Sequence, residues 1–332
     1  MKRHLPQRHL GPFEVSAVGL GCMNVSHAYG APPPSEDAAK LFERALDEGI
    51  NFFDTAALYG FGANEQLLGN SFLKNHRSKI ILASKGGMAG VNGVRVINGR
   101  PEAIRQNCED SLRNLKTDVI DLYYLHRLDK NVPIEDSVGA MSDLVQAGKI
   151  RTLGLSEVSA KTIERAQAVH TITAVQTEYS LWTRNPEIAV LDKCKELEIA
   201  FVAFSPIARG FLGGKLKDVS TLEAKDIRRT MPRFEPSNYE SNLKIQDKLS
   251  VIAAEENCTL AQLSIAWLLQ KSEHIIPIPG TTKIDHLLED IGSVDVRLSK
   301  HALDQIELVF EKNPVQGNRY NEATQLEIDT EI

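Results

Sequence analysis

At 332 residues the chain is long enough to bury a large core, either as two ordinary domains or as one barrel. Its net charge of −6 and pI near 5.9 exclude a general attraction to phosphate backbones or anionic membranes, leaving only a local basic pocket open, so neither nucleic acid nor membrane is expected as a partner. Cys22, Cys108, Cys194 and Cys258 form neither a CxxC pair nor a metal-ligand spacing with histidine, which fits reduced thiols in a cytoplasmic protein with no metal. No run is long enough to span a bilayer. The basic start, Met1-Lys2-Arg3-His4, has no apolar stretch after it, so a signal peptide is not expected.

From about Glu14 onward, short β-rich runs alternate with helical patterns without breaking into halves. The first strand is expected at residues 17–21, followed by a helix over 35–49 with Ser35 as N-cap, apolar Ala38, Leu41, Phe42, Ala45 and Leu46 on one stripe, and Gly49 as its stop. Strands at 51–53 and 80–82 precede a glycine-rich insert, 86–99, that adds to the rim. A helix at 101–115 follows, with proline in its first turn and Ile104, Cys108, Leu112 and Leu115 repeating. Strands at 120–124, 152–155, 174–176, 200–204 and 275–278 complete a set of eight. Helical patterns at 135–147, 160–169, 186–197, 239–256, 260–270 and 284–291 lie between or after them. Eight strands alternating with helices indicate an α/β chain folded as a single (β/α)8 barrel of the TIM type over residues 1–332. Residues 206–238, with Gly210, Gly213, Gly214, Pro232 and Pro236, read as a lid over the barrel mouth. A further C-terminal helix at 299–310 precedes a polar, acidic tail from about 313 that is expected to be poorly ordered.

Three of these runs end in ionisable residues. The second delivers Asp54, with Tyr59 five positions on; the third delivers Lys85; the fourth delivers His126. Singly, Asp54 reads as a turn cap, Lys85 as a solvated cation and His126 as a satisfied core histidine. Together, at the ends of successive parallel strands, they share the face where such barrels place their chemistry. A cation beside a phenol favours loss of its proton, a carboxylate steadies a buried ammonium, and a neutral imidazole polarises a carbonyl. Two phosphate-binding motifs fail by comparison. Gly19-Leu20-Gly21 opens like a dinucleotide fingerprint, but Asn24 replaces the third glycine and Pro32-Pro33-Pro34 follows where a helix should start. Gly213-Gly214-Lys215 lacks both the first glycine of a P-loop, where Arg209 stands, and a following Ser or Thr.

The segment Asn51-Phe52-Phe53-Asp54-Thr55-Ala56-Ala57-Leu58-Tyr59-Gly60, continued by Gly62, Glu65, Leu68 and Gly69, resembles the aldo-keto reductase pattern. Ordered matches extend over nearly the whole chain: Val18 to Met23, Ser84-Lys85, Asp121 to His126, Gly154-Leu155-Ser156, Val175-Gln176, Glu178 to Leu181, and Pro279 to Lys283. The resemblance implies reduction of aldehydes or ketones by NADPH, with Tyr59 as general acid, Lys85 tuning it, Asp54 holding Lys85, and His126 orienting the carbonyl. It implies Ser156 and Gln176 as carboxamide ligands and Tyr179 as the ring stacked on nicotinamide. Glu157 stands where many members carry Asn. Ser205, Pro206, Ile207, Arg209, Gly210 and Lys215 resemble the stretch that holds pyrophosphate. Gly280, Thr281, Thr282 and Lys283, followed by His286, Glu289 and Asp290, resemble the adenosine site, with His286 where arginine is common and Asp290 where asparagine is common. Hydroxyls and a lysine there suit a 2′-phosphate, hence NADPH over NADH.

Met23, Asn24, Tyr29, Leu58, Met88, Arg127 and Trp182 are expected in mouth-side loops as an apolar substrate wall with a few polar points, open to a small carbonyl compound. Two competing functions use the same residues. One is a nicotinamide-binding regulatory subunit similar to potassium-channel β subunits, which share this fold; the other is a barrel aldolase with a Schiff base at Lys85, which leaves the cofactor motifs unexplained.

Overall fold

Residues 4–332 are described by a computed structural model, apart from the side chain at position 91; the signal-peptide expectation rests partly on Met1, Lys2 and Arg3, which lie outside them. Eight strands form one parallel sheet in chain order: β1 (Leu20–Gly21), β2 (Phe52–Asp54), β3 (Ile81–Gly86), β4 (Ile120–Leu125), β5 (Ile150–Ser156), β6 (Ala174–Glu178), β7 (Ala200–Phe204) and β8 (Ile275–Ile278). The ring closes between β1 and β8. Gly19 N–H donates to the Pro277 carbonyl and Gly21 N–H to that of Pro279, both at 3.0 Å. Both acceptors are prolines and have no N–H to return, so this seam is bonded in one direction only. Glycine is required there: a Cβ on Gly19 would lie 2.7 Å from the Phe52 ring, and one on Gly21 2.8 Å from the Ile278 carbonyl oxygen.

Side chains alternate along each strand. Phe52, Ala83, Leu122, Tyr124, Ala174, Val202 and Ile276 fill the barrel, joined by Leu10 and Val15 of an N-terminal hairpin, Gln7–Leu10 with Phe13–Ser16. Phe53, Leu82, Tyr123, Leu153, Val175 and Phe201 point outward into the layer beneath the helices. Those helices are Ser35–Asp47, Pro101–Leu115, Ile134–Gln146, Ala160–Gln167, Val190–Glu196, Pro236–Glu255, Leu260–Lys271 and Ile284–Gly292, with Lys300–Lys312 beyond the last. No helix among the described residues is long and apolar enough to cross a membrane.

Four details differ from the sequence pattern. Pro34, not Ser35, occupies the first N-cap, without a side-chain bond. Residues 186–197 divide into a 3-10 turn, Asn185–Glu187, and the helix Val190–Glu196. An unanticipated helical stretch links β2 to β3: Ala63–Leu68, a π-helical turn Gly69–Leu73, and Lys74–His76. Gly69 belongs there because a Cβ would lie 2.4 Å from the Asn114 carbonyl oxygen of the neighbouring helix. The polar tail is not loose but packed. Asp329 Oδ2 accepts from Ser159 N at 3.0 Å, Ser159 Oγ at 2.9 Å and Thr162 Oγ1 at 2.7 Å, satisfying the start of Ala160–Gln167.

Two inserts frame the mouth. The first is a hairpin after β3, Met88–Val91 with Val94–Ile97, turned by Asn92 (φ 51°) and Gly93 (φ 76°), the pair a two-residue hairpin turn favours. The second, after β7, is a chain of 3-10 turns, Ala208–Gly213, Val219–Thr221, Ile227–Thr230 and Pro232–Phe234, with Asp218 and Asp226 capping two of them.

Candidate active site

Strand parity brings the ionisable groups together. Asp54 follows inward Phe52, Lys85 follows inward Ala83, and His126 follows inward Leu122 and Tyr124, so each points up the barrel axis toward the mouth. Lys85 Nζ spends all three protons: on Asp54 Oδ1, on the Thr55 carbonyl at 2.9 Å, and on Tyr59 Oη at 3.1 Å. Gln176 Nε2 donates to the other Asp54 oxygen at 2.8 Å. The His126 ring stands edge-on to Tyr59, 5.9 Å between centroids, and His27 lies on another side at 5.7 Å.

Burial by itself would depress the Lys85 ammonium, but Asp54 and Tyr59 hold it above its ordinary value, so it is a fixed cation. The Tyr59 phenol goes the other way from the sequence expectation. Burial comes first and raises it above 10.0, and the opposing pull of Lys85 does not overcome that. Tyr59 therefore keeps its proton at neutral pH. Because Lys85 can only donate, the phenolic oxygen accepts from it and the Tyr59 hydrogen stays free for a ligand. Burial, reinforced by the charge of Arg127, pushes the His126 imidazole well below 6.5 and leaves it neutral.

A cavity of about 850 Å3 extends from Tyr59 and His126, across the ends of β5 to β7, to the loop after β8. Ser156, Gln176, Ser205, Pro206, Ile207, Arg209, Gly210, Gly280, Thr281, Thr282, Lys283 and His286 border it, as do Met23, Asn24, Tyr29, Leu58, Met88 and Arg127. Lys85 lies directly behind Tyr59.

Six expected residues lie elsewhere. Tyr179 is on the outward parity of β6: its ring packs against Phe201 and Trp267 and its hydroxyl donates to Glu187 at 2.6 Å. The aromatic face at the cavity belongs to Phe204, on the inward parity of β7. Trp182 is stacked on Phe211 at 4.3 Å inside the lid's own core. Asp290 falls on the buried stripe of its helix with Leu287 and Ile291, where burial pushes its carboxyl well up, and the Glu289 carbonyl faces Gln262. Lys215 sits at the outer rim, donating to His286 Nε2 at 2.8 Å.

Glu157 is the sixth. It turns away from the cavity, with φ of 57°, into a buried cluster of charges: Arg319 pairs with Glu157 and, at 3.0 Å, with Glu178, which also takes Arg209 at 2.5 Å. Tyr320 Oη accepts from Arg209 at 2.9 Å. Burial opposes the Glu178 charge, but Arg209 and Arg319 hold its carboxyl at about 2. Arg209 thus borders the cavity already neutralised. Sequence reasoning missed Phe204, His27, Arg95, Lys225, Arg228, Tyr320, Asn321 and Thr324, all of which border the cavity. Parity pointed to Phe204; nothing in the tail pointed to the last three.

The profile of the aldo/keto reductase family matches residues 17–311. The chain belongs to that family. "Probable aldo-keto reductase 1" of Glycine max is 44% identical over 310 residues, covering 93% of this chain and 89% of that protein. Among solved structures, the glycerol dehydrogenase AKR11B4 from Gluconobacter oxydans superposes with a TM-score of 0.84 at 26% identity, covering 94% of this chain and 97% of that one. An aldo/keto reductase from Klebsiella pneumoniae in complex with NADP and acetate gives 0.73 at 25% identity, covering 97% and 99%. The family consists of NADP-dependent oxidoreductases acting on carbonyl groups, and the closed eight-stranded barrel of this aldo/keto reductase agrees with that of its structural relatives.

Proposed function

We propose that this aldo/keto reductase reduces an aldehyde or ketone to the alcohol with NADPH, Tyr59 donating the proton. The observation that carries the reading is the orientation forced by Lys85, whose donation to Tyr59 Oη leaves the phenolic hydrogen for an acceptor in the cavity. The cavity fits a dinucleotide. It is long, offers the partly exposed Phe204 ring, and ends at Gly280, whose missing Cβ, which would lie 2.8 Å from the Gly21 carbonyl oxygen, lets the loop after the last strand close there and so draws the two walls of the cavity together. Ser156 and Gln176 would hold the carboxamide, Gly210 and Lys225 the pyrophosphate, and Thr281, Thr282 and Lys283 a 2′-phosphate. Bound there, NADPH supplies the hydride.

The chain's own residues do the rest. Neutral His126 binds the carbonyl oxygen beside Tyr59 without competing for its proton. As negative charge grows on that oxygen, Tyr59 gives up its hydrogen, and the phenolate that forms is met by the Lys85 ammonium. Asp54, fixed by Gln176, keeps that ammonium in place. Loops after both the first and the last strand wall the cavity, which supports one functional unit along the chain.

Loss of NADPH absorbance with a panel of aldehydes, for the intact protein and Tyr59→Phe, tests this. The expected result is aldehyde-dependent oxidation that falls about 100-fold or more in the variant. No aldehyde-dependent oxidation by the intact protein defeats the proposal.

A further inference from the structure

The inference rests on the reduction proposed above and names its substrate class. The reacting end of the cavity carries two arginines to which the proposed reduction assigns no contact with either the carbonyl or the cofactor. Arg127 follows His126 directly, donates to the His126 carbonyl at 2.7 Å and to Ser156 Oγ at 3.3 Å, and keeps a buried Nε with no partner. Arg95 comes from the hairpin inserted after β3. Across that hairpin Arg95 pairs with Gly90, and a Cβ on Gly90 would lie 2.0 Å from the ring of Phe61, two residues beyond Tyr59. The hairpin is therefore seated on the loop that carries the proton donor, and Arg95 borders the same cavity. Both arginines raise the positive potential at His126.

The phosphates of a dinucleotide do not account for this pair. Their expected ligands follow β7 and β8, on the opposite side of the ring from the ends of β3 and β4 that bear Arg95 and Arg127. Leu58 and Met88 supply apolar wall to the same cavity. Arg95 is held by Glu327 of the tail at 2.5 Å, with both side chains partly exposed. An ion pair open to water is weak, so Arg95 exchanges it readily for a ligand carboxylate.

We infer that the carbonyl substrate carries a carboxylate, received by Arg95 and Arg127 while its carbonyl lies between Tyr59 and His126. A guanidinium recognises a carboxylate by two parallel hydrogen bonds, and the carboxylate end fixes the reach of the carbonyl end.

The test compares 4-carboxybenzaldehyde with its methyl ester, which differ chiefly in charge, at saturating NADPH. The expected preference for the acid in kcat/KM is roughly tenfold or more, carried by KM. Arg95→Gln should collapse that ratio and Arg95→Lys restore part of it, whereas Glu327→Gln, which frees Arg95, should enlarge it. An acid-to-ester ratio near one in the intact protein, or one insensitive to Arg95, overturns the inference while leaving the reduction standing. If neither aldehyde is turned over, the reduction fails instead. The inference is then decided by calorimetry of the NADP+-loaded protein with 4-carboxybenzyl alcohol and its methyl ester, where Arg95-dependent tighter binding of the acid supports it and equal binding overturns it.

Discussion

Arg319 and Glu157 lie 162 positions apart in the chain and form an ion pair buried behind the cavity wall. The pair explains why a carboxylate is tolerated next to Ser156: Arg319 neutralises it from the tail and ties the tail to the barrel top. Arg319→Met leaves Glu157 buried without a cation and Glu178 with one arginine fewer. The expected loss is about 3–5 kcal/mol in urea unfolding. Adding Glu157→Gln should recover part of it, and a single variant within about 1 kcal/mol of the parent would contradict the role given to the pair.

Acid stability should follow Glu178. Its folded-state carboxyl is depressed from 4.5 to about 2, so its contribution is complete above the unfolded value and is lost as pH falls from 4.5 toward 2. The contribution is on the order of 3 kcal/mol. Denaturant midpoints across that window should decline more steeply for the intact protein than for Glu178→Gln; parallel slopes would exclude the linkage.

His126 should stay neutral where free histidine is half charged. Its folded-state value is well below 6.5, because burial and Arg127 both disfavour the cation. Ring carbon and nitrogen chemical shifts in histidine-labelled protein, assigned with His126→Gln, should show the uncharged imidazole at about pH 6. A midpoint at or above 6.5 would mean that charged imidazole competes with Tyr59 as acid.

Cofactor choice should depend on Lys283, which borders the cavity and is exposed at the start of its helix. Lys283→Met should raise the KM for NADPH roughly tenfold and change that for NADH little. Equal loss with both cofactors would place Lys283 away from the 2′-phosphate.

The barrel and the convergence of Asp54, Tyr59, Lys85 and His126 were legible because both are local patterns. Eight apolar runs end where parallel strands must end, and Asp54, Lys85 and His126 sit directly on those ends. Parity within the runs carried further information than motif resemblance did. Ala174 and Gln176 face inward, so Tyr179 must face outward; Ala200 and Val202 face inward, so Phe204 must reach the cavity. The tail was illegible for the opposite reason. Its polar, acidic composition suggests solvation, and only the folded barrel supplies the buried Glu157 and Glu178 that Arg319 meets and the Ser159-capped helix start whose remaining donors Asp329 takes. The unanticipated helix after β2 was hidden by Gly60 and Gly62, which take positive φ just before it, and by Gly69, which usually interrupts a helix but here permits close packing on Asn114.

The half-bonded seam between β1 and β8 runs beneath the end of the cavity proposed to take the adenosine side of NADPH. The loop after β1 and the loop after β8 meet across that seam, where Asn24 Nδ2 donates to the Gly280 carbonyl at 3.1 Å. In the proposed binding mode a ligand lying over Gly280 would bridge this seam, whose prolines return no N–H, and act there as a clasp. Amide exchange at Gly19 and Gly21 should therefore slow on adding NADP+ more than exchange in β4 or β5, whose ladders are complete without it.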